Sequence, residues 1–579
     1  MNDTLKKNAI FLSGAIVAVI FSFLYYSRLL ASFFTGADTL WQIDDSRISS
    51  FGDLGRILTE PMLGHDYYIG GGIFYRPLTS LMRSLDYAIW NINPYGYHLT
   101  DLLLHLTVVA LIFWLIRILF NSNAAAWLGA GIFLVHPSVS RSLGGPAGAG
   151  DILMSACFLF AFITFVLYLN RRRRFILSIS LVAYAFALFS KETAFFLWPL
   201  MFLYVLLFQG KGEDIRNRAI LAIRNSWPYI GLAVIFFLIR LLVLQGIGGY
   251  QHENQNLMNS VISSIDMTKT FFMNLLRPAY GLSNQTNSLV IWISLFVLCF
   301  VSSIMYFFSL FLITKLLLDR KYSLIALSSL IPLVLLTVMI ILRMLSDISL
   351  LGMVYQIFLI ALIASLVCLI NIAITFKSAI IEHFKTTSRL KLYLFLLIWM
   401  IIPLGVSLST RAFNTYNMYF PSIPFCIILA NALVDLISVR YEQNSDVLKT
   451  ARRPLLFARA SAVFIILIIS VSSFNATSRM SDLKMTELFL VKITDTASLI
   501  PDSGQIDVYN FPNAIFSLER NQKVSEYNIR CWLNIALPEN KVRVNIKTFD
   551  GSDEYPQQLF FDDNWEDKNH VSLYVQQSY

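Results

Sequence analysis

The chain has 579 residues, 56% hydrophobic, 14% aromatic and only 14% charged, with a mean hydropathy of +0.63. A soluble globular chain of this length does not need so much apolar surface, so the composition excludes the soluble classes and points to a polytopic membrane protein. The formal net charge of +9 is therefore an orientation signal to be read loop by loop, and nucleic acid is not an expected partner. Four of the five cysteines, Cys157, Cys299, Cys368 and Cys426, fall in apolar runs without pairing or metal spacing, as buried small hydrophobes do.

Lys6 and Lys7 precede an apolar run from Asn8 to Phe34. The run is too long for a signal-peptide core and no clear cleavage site follows, so an uncleaved signal-anchor helix is expected. Further apolar runs near 97–120, 124–143, 151–170, 175–190, 194–209, 227–245, 288–317, 322–343, 348–376, 392–410, 417–437 and 455–474 bring the expected spans to about thirteen. With the N-terminus cytoplasmic, the basic clusters at Arg171 to Arg174, Lys211 to Arg224, Lys315 to Lys321, Lys377 to Lys391 and Arg440 to Arg453 all lie inside. The same count puts three parts outside: the opening loop at 36–96, a loop at 246–287 and the tail after Asn475.

The opening loop is the longest polar interruption in the first two hundred residues. It holds Asp44-Asp45, His65-Asp66, Gly70-Gly71-Gly72 and Tyr75-Arg76-Pro77. Helix-like apolar spacing over Ile48–Leu63 and Leu78–Trp90 predicts two helices along the membrane surface. A carboxylate of the Asp44-Asp45 pair can act as general base towards an acceptor hydroxyl. It can equally cap a helix, Asp45 or Ser46 being placed to cap one after Arg47.

The tail, 478–579, changes to a polar, mixed-charge composition with β-like runs at Gln505–Tyr509, Lys541–Lys547 and His570–Val575. The expected organisation is a transmembrane part, 1–474, and a small extracytoplasmic α/β or β domain, 478–579.

Ionisable residues inside a bilayer are costly and mark function. Here they gather near the outer ends of the spans: Asp101, His105, His136, Arg141, Asp151, Lys191, Glu192, Arg240, Arg343, Asp347 and Arg411. That pattern suits a cavity open to the outside better than a transporter's midplane site. Three pairings are open to a purely structural reading: Asp101 with His105 on one helix face, His136 with Asp151 across an outer turn, and Lys191 with Glu192. One histidine and scattered carboxylates supply no metal-ligand set.

Taken in order, these residues resemble the membrane glycosyltransferases of the GT-C class, and within them the TMTC-type O-mannosyltransferases and their prokaryotic relatives. The matching pieces are Asp44-Asp45-Ser46, Tyr75-Arg76-Pro77-Leu78, Gly96-Tyr97-His98-Leu99 leading to His105, His136-Pro137, Asp151-Ile152-Leu153, Ser190-Lys191-Glu192, and Asn417-Met418-Tyr419-Phe420-Pro421-Ser422. They run over about 40–440. Two departures stand out. The family's Gly-Arg-Ala-Asp reads Gly148-Ala149-Gly150-Asp151, and Arg141 replaces an acidic residue after His136-Pro137. The repeats of the animal members are absent.

The resemblance implies an all-α polytopic GT-C-like fold and transfer of a sugar, a hexose such as mannose, from a polyprenyl-phosphate carrier on the non-cytoplasmic face, with inversion. Asp44 or Asp45 would be the base. Arg76, His136, Arg141, Lys191 and Arg411 would face the donor phosphate, supported by Tyr75, Asp101, His105, Asp151, Glu192 and Tyr419. No cofactor is expected, and a divalent metal is left open. The expected partners are the lipid-linked donor, membrane lipid and a protein, lipid or glycan acceptor. The missing repeats and the tail favour a prokaryotic plasma membrane. The competing readings are a glycan polymerase or ligase using lipid-linked sugars, and a non-enzymatic lipid or glycan transporter.

Overall fold

A computed structural model describes residues 3–34, 37–62, 72–143, 146–210, 212–246, 248–250, 388–410 and 415–438, with short pieces at 267–268, 271, 490–491, 493–494, 505–509, 522–537, 543–547 and 559–560. The chain divides into two compact units, one of residues 1–279, 395–430 and 472–579, the other of 280–394 and 431–471. The candidate site lies wholly in the first. The expected spans at 288–317, 322–343, 348–376 and 455–474, with Arg343 and Asp347, lie outside the described residues.

The apolar runs among the described residues are helices. The first splits into α1, Asp3–Tyr25, and the single turn α2, Ser27–Leu30, so the expected continuous anchor ends at Tyr25. The Tyr26 hydroxyl donates to the main-chain oxygen of Leu134, 2.7 Å away, and holds this break against the bundle. Two helices then cross the opening loop, α3, Ala37–Ser46, and α4, Phe51–Thr59. The cap of α4 is Ser50, not Asp45 or Ser46. Its hydroxyl accepts from the Asp53 amide while the Asp53 carboxylate accepts from the Ser50 amide at 2.8 Å, a reciprocal capping box. Asp44 and Asp45 therefore stand in the last turn of α3, where the helix dipole disfavours a negative charge.

The expected helix at Leu78–Trp90 is α5, Pro77–Trp90, started by Pro77. Asn93, which accepts from the Tyr95 amide at 3.1 Å, caps α6, Pro94–Phe120. The expected span at 124–143 is two helices, α7, Asn123–Leu134, and α8, Pro137–Leu143, because Pro137 cannot continue α7. Then come α9, Pro146–Arg171, α10, Arg174–Ser190, a 3₁₀ turn at Glu192–Leu197, α11, Trp198–Phe208, and α12, Ile215–Leu244. Later helices are α13, Ser388–Thr410, and α14, Tyr419–Ser438.

Three of these, Pro94–Phe120, Gly148–Arg171 and Ile215–Leu244, are long and apolar enough to cross a bilayer. α9 is the buried centre. Its Phe162 ring stacks on Phe395 of α13 at 5.5 Å, and Phe158 meets Trp399 edge-on at 5.7 Å. Gly148 is required where α9 begins, because a Cβ there would run into the backbone of Ser142 in α8. By contrast α12 leaves Val234, Ile235, Leu238 and Leu242 exposed, a stripe that lipid covers. The chain is an integral membrane protein.

After α12 the chain turns through Gly248 and Gly249, both with positive φ, into strand β2, Gly249–Tyr250. β2 pairs antiparallel with β1, Gly72–Ile73, tying the end of α12 to the opening loop. In the tail, strands β3, Gln505–Tyr509, and β4, Arg543–Lys547, coincide with two of the expected β runs; His570–Val575 lies outside the described residues. β4, β3 and β5, Leu559–Phe560, form a parallel sheet in that order, and helix α15, Gln522–Ala536, makes the crossover that parallel strands need.

Candidate active site

Asp44 and Asp45 differ in what holds them. The Asp45 carboxylate accepts from Arg56 Nη1 at 2.7 Å, and the other nitrogen of the same guanidinium donates to the Asp45 main-chain oxygen. Asp44 has no such clamp. Its Oδ2 accepts from the Asn534 amide at 3.0 Å, and Arg47 stands 3.7 Å from its Oδ1. Burial pushes the Asp44 carboxyl above the usual carboxylate range, partly offset by Asn534 and Arg47.

Helix α3 packs on α5, α9 and α15. Where α5 and α9 begin and α10 ends lies a cluster of charges. Lys191 Nζ donates to Asp151 Oδ2 at 2.5 Å and to Asn417 Oδ1 at 3.2 Å. Arg76 makes a two-pronged pair with Glu192 at 2.8 and 2.5 Å while its guanidinium lies 4.3 Å from the Phe74 ring. Arg240 of α12 approaches Glu192 at 3.9 Å. Three cations thus surround two carboxylates, leaving one net positive charge. Thr79 joins the helices by donating to the Ser190 carbonyl at 2.7 Å. Tyr75 anchors the entry to α5 through its hydroxyl on Leu58 O at 2.8 Å.

The expected local pairs do not form. Lys191 and Glu192 are neighbours in sequence but point to Asp151 and Arg76. His136 does not bond Asp151; its Nδ1 pairs with Ser138 Oγ at 2.7 Å, and Ser138 with Ser422 Oγ at 2.8 Å. Asp101 and His105 share a face of α6 without bonding each other. His105 Nδ1 meets the Tyr419 hydroxyl at 2.8 Å, while Asp101 accepts from Arg83 at 3.0 Å. Asn417, Tyr419 and Ser422 therefore bond Lys191, His105 and Ser138, so one short segment ties three parts of the site together.

Arg83 was not singled out by the sequence. It is 3% exposed and bridges Asp101 and Asp86, donating to Asp86 at 2.8 Å. The signal available was an arginine three residues before an aspartate on a helix whose buried face is polar, with Thr79, Ser80 and Ser84 beside them. Asn534 and Arg56 were likewise missed, and Asn417 stood in a matching motif without a role of its own. Arg411 lies outside the described residues. Of Arg141 only the backbone is described: it sits in α8, next to Ser142, whose main chain abuts Gly148. That places position 141 near position 149, where the resemblance expects an arginine.

Residues 77–243 match the family described as dolichyl-phosphate-mannose-protein mannosyltransferase. The match takes in Arg83, Asp101, His105, His136, Asp151, Lys191, Glu192 and Arg240, and leaves Asp44, Asp45 and Arg76 just outside. The resemblance to O-mannosyltransferases of the TMTC type holds as well. Over 120 residues the chain is 30% identical to protein O-mannosyl-transferase Tmtc1 of Drosophila melanogaster, covering 21% of this chain and 14% of that protein. Over 91 residues it is 35% identical to protein O-mannosyl-transferase TMTC3 of Homo sapiens, covering 16% and 10%. The chain thus spans a small part of the relatives it matches. Among solved structures, the oligosaccharyltransferase of Archaeoglobus fulgidus tethered to an acceptor peptide aligns over 92% of this chain and 64% of that one, at 13% identity and a TM-score of 0.42. A likeness that slight carries no argument about the site.

Proposed function

We propose that this protein is a membrane glycosyltransferase that moves a hexose, mannose by analogy with the relatives, from a polyprenyl-phosphate carrier to an acceptor hydroxyl on the extracytoplasmic face. The observation that carries the reaction class is the match of 77–243 to a mannosyltransferase family. The N-terminus is cytoplasmic in this reading, and the opening loop and tail face outward.

Asp44 is the base. Asp45 is engaged by Arg56 at both its carboxylate and its carbonyl, which fits a residue that shapes the end of α3. Asp44 is free of that clamp and half-buried, and burial raises its proton affinity, which suits a proton acceptor. The acceptor hydroxyl gives its proton to Asp44 as its oxygen bonds to the anomeric carbon from the face opposite the phosphate. The carbon–oxygen bond to the phosphate breaks, and the electron pair leaves with the phosphate. Inversion follows from this single displacement.

Negative charge grows on the departing phosphate, and placed cations stabilise it. The cluster of Arg76, Lys191 and Arg240, one charge in excess of Asp151 and Glu192, supports that role, with Arg141 and Arg411 as further candidates. His136 fits a supporting place beside Ser138 and Ser422 better than a phosphate contact. No metal ion enters the reading.

The test is transfer itself. Purified protein is incubated with labelled mannose on polyprenyl phosphate and a membrane extract as acceptor source. Label moving into protein, lipid or glycan supports the reading and identifies the acceptor class. No transfer from a folded preparation, with any polyprenyl-phosphate sugar, overturns it.

A further inference from the structure

The polar tail has no part in the reaction described so far, yet α15 places a side chain on the Asp44 carboxylate. Asn534 Nδ2 donates to Asp44 Oδ2 at 3.0 Å. Its main-chain oxygen accepts from Arg47 Nη1 at 2.5 Å, and Arg47 in turn faces the other oxygen of Asp44 at 3.7 Å. One residue further, Ile535 O accepts from the Tyr87 hydroxyl at 3.4 Å. The end of α15 is thus tied to α3 and α5 around a single carboxylate.

The helix is firmly seated. Trp532 is 3% exposed, its ring stands 5.5 Å from Phe33, and its indole N–H donates to Thr494 Oγ1 at 2.7 Å. Ile529, Cys531, Leu533 and Ile535 are buried as well. A tail docked by chance contact would need only this apolar side. The amide on Asp44 is an addition with a chemical consequence: it fixes one carboxylate oxygen and favours the ionised form, against the burial that disfavours it.

We propose that Asn534 is a positioning residue for Asp44, so that the C-terminal segment is part of the active site. The inference rests on the reading of Asp44 as base. The groups facing Asp44 are Asp45 on its own helix and Arg47 just after it, Cys531 beside Asn534 on α15, and Tyr87 of α5 beneath Arg47. Arg56 of α4 is held by Asp45, and Asp151, near the start of α9, is held by Lys191.

The experiment uses the full chain in lipid nanodiscs, with Asn534→Ala and the isosteric Asn534→Asp. Carbodiimide labelling of Asp44, located by mass spectrometry, reports its protonation against pH without needing any substrate. Loss of the donor raises the labelling midpoint by about half a pH unit or more in both variants. An unmoved midpoint overturns the proposal. So does release of the tail to protease in both variants, because the amide would then hold the tail and not the carboxylate. With polyprenyl-phosphate mannose as donor, kcat falls about ten- to a hundredfold at unchanged donor KM, a loss of positioning alone. Retained transfer in Asp44→Asn would refute Asp44 as base, whatever the labelling of the Asn534 variants shows.

Discussion

Arg56 grips Asp45 twice, through the carboxylate and through the main-chain carbonyl of the same residue. A guanidinium used in this way both neutralises a charge at the C-terminus of α3 and satisfies a carbonyl that the helix leaves without a partner. Lysine has donors enough but lacks the rigid planar fork that reaches both oxygens at once.

Arg56→Lys and Arg56→Ala are therefore both expected to lower transfer, by about tenfold, and Asp45→Asn by a similar factor. The double variant Arg56→Ala with Asp45→Asn should lose little more than either alone, since the two act as one unit. A double-mutant cycle on initial transfer rates checks this. Additive losses would give Asp45 a task of its own.

Lys191 and Asp151 are each less than a tenth exposed, and neither is tolerable without the other. Asp151→Asn takes away the carboxylate that the buried ammonium pairs with and is expected to cost about 3–5 kcal/mol. The thermal midpoint of the detergent-solubilised protein reads this loss. Adding Lys191→Met to Asp151→Asn should recover much of it, although not the activity, because the cluster keeps its net charge but loses one of its three cations.

Much of this arrangement can be foreseen from the chain, and the limit is instructive. Among the described residues the apolar runs became helices, because length and hydropathy decide whether a segment crosses a bilayer; the runs did not mark the breaks at Tyr26 and Pro137 or the 3₁₀ turn before Trp198. The stretch holding Asp44 and Asp45 stood out because polar residues are rare in such a chain. Partners are another matter. Asp101 and His105 lie on one helical face, yet each is claimed by a group from elsewhere, Arg83 and Tyr419. Helical spacing says which residues share a face and nothing about what faces them. Asn534 is the extreme case: 490 positions separate it from Asp44, and no local pattern marks it.

The raised proton affinity of Asp44 has a sign that can be followed. Its native pKa lies above the unfolded value, so between the two the native state binds more protons, and stability falls as pH rises through that window. Above the native pKa the charged form is carried at a cost. Asp44→Asn removes that cost, so its thermal midpoint should exceed that of the natural protein at neutral pH, and the difference should close as pH falls below the ordinary carboxylate range. Transfer runs the other way. The base must be ionised, so the acid limb of the rate profile should begin at a higher pH than for a solvated aspartate. Paired thermal scans and rate profiles over the acid range measure both.

The central claim is that Asp44 takes the proton of the acceptor. The most direct measurement compares the natural protein with Asp44→Asn, matched for amount in the membrane and each shown to be folded by a cooperative thermal transition, in transfer of labelled mannose from polyprenyl phosphate. The rate should fall by about 10²–10⁴ with the donor still bound. Transfer by Asp44→Asn within a few-fold of the natural protein would contradict it.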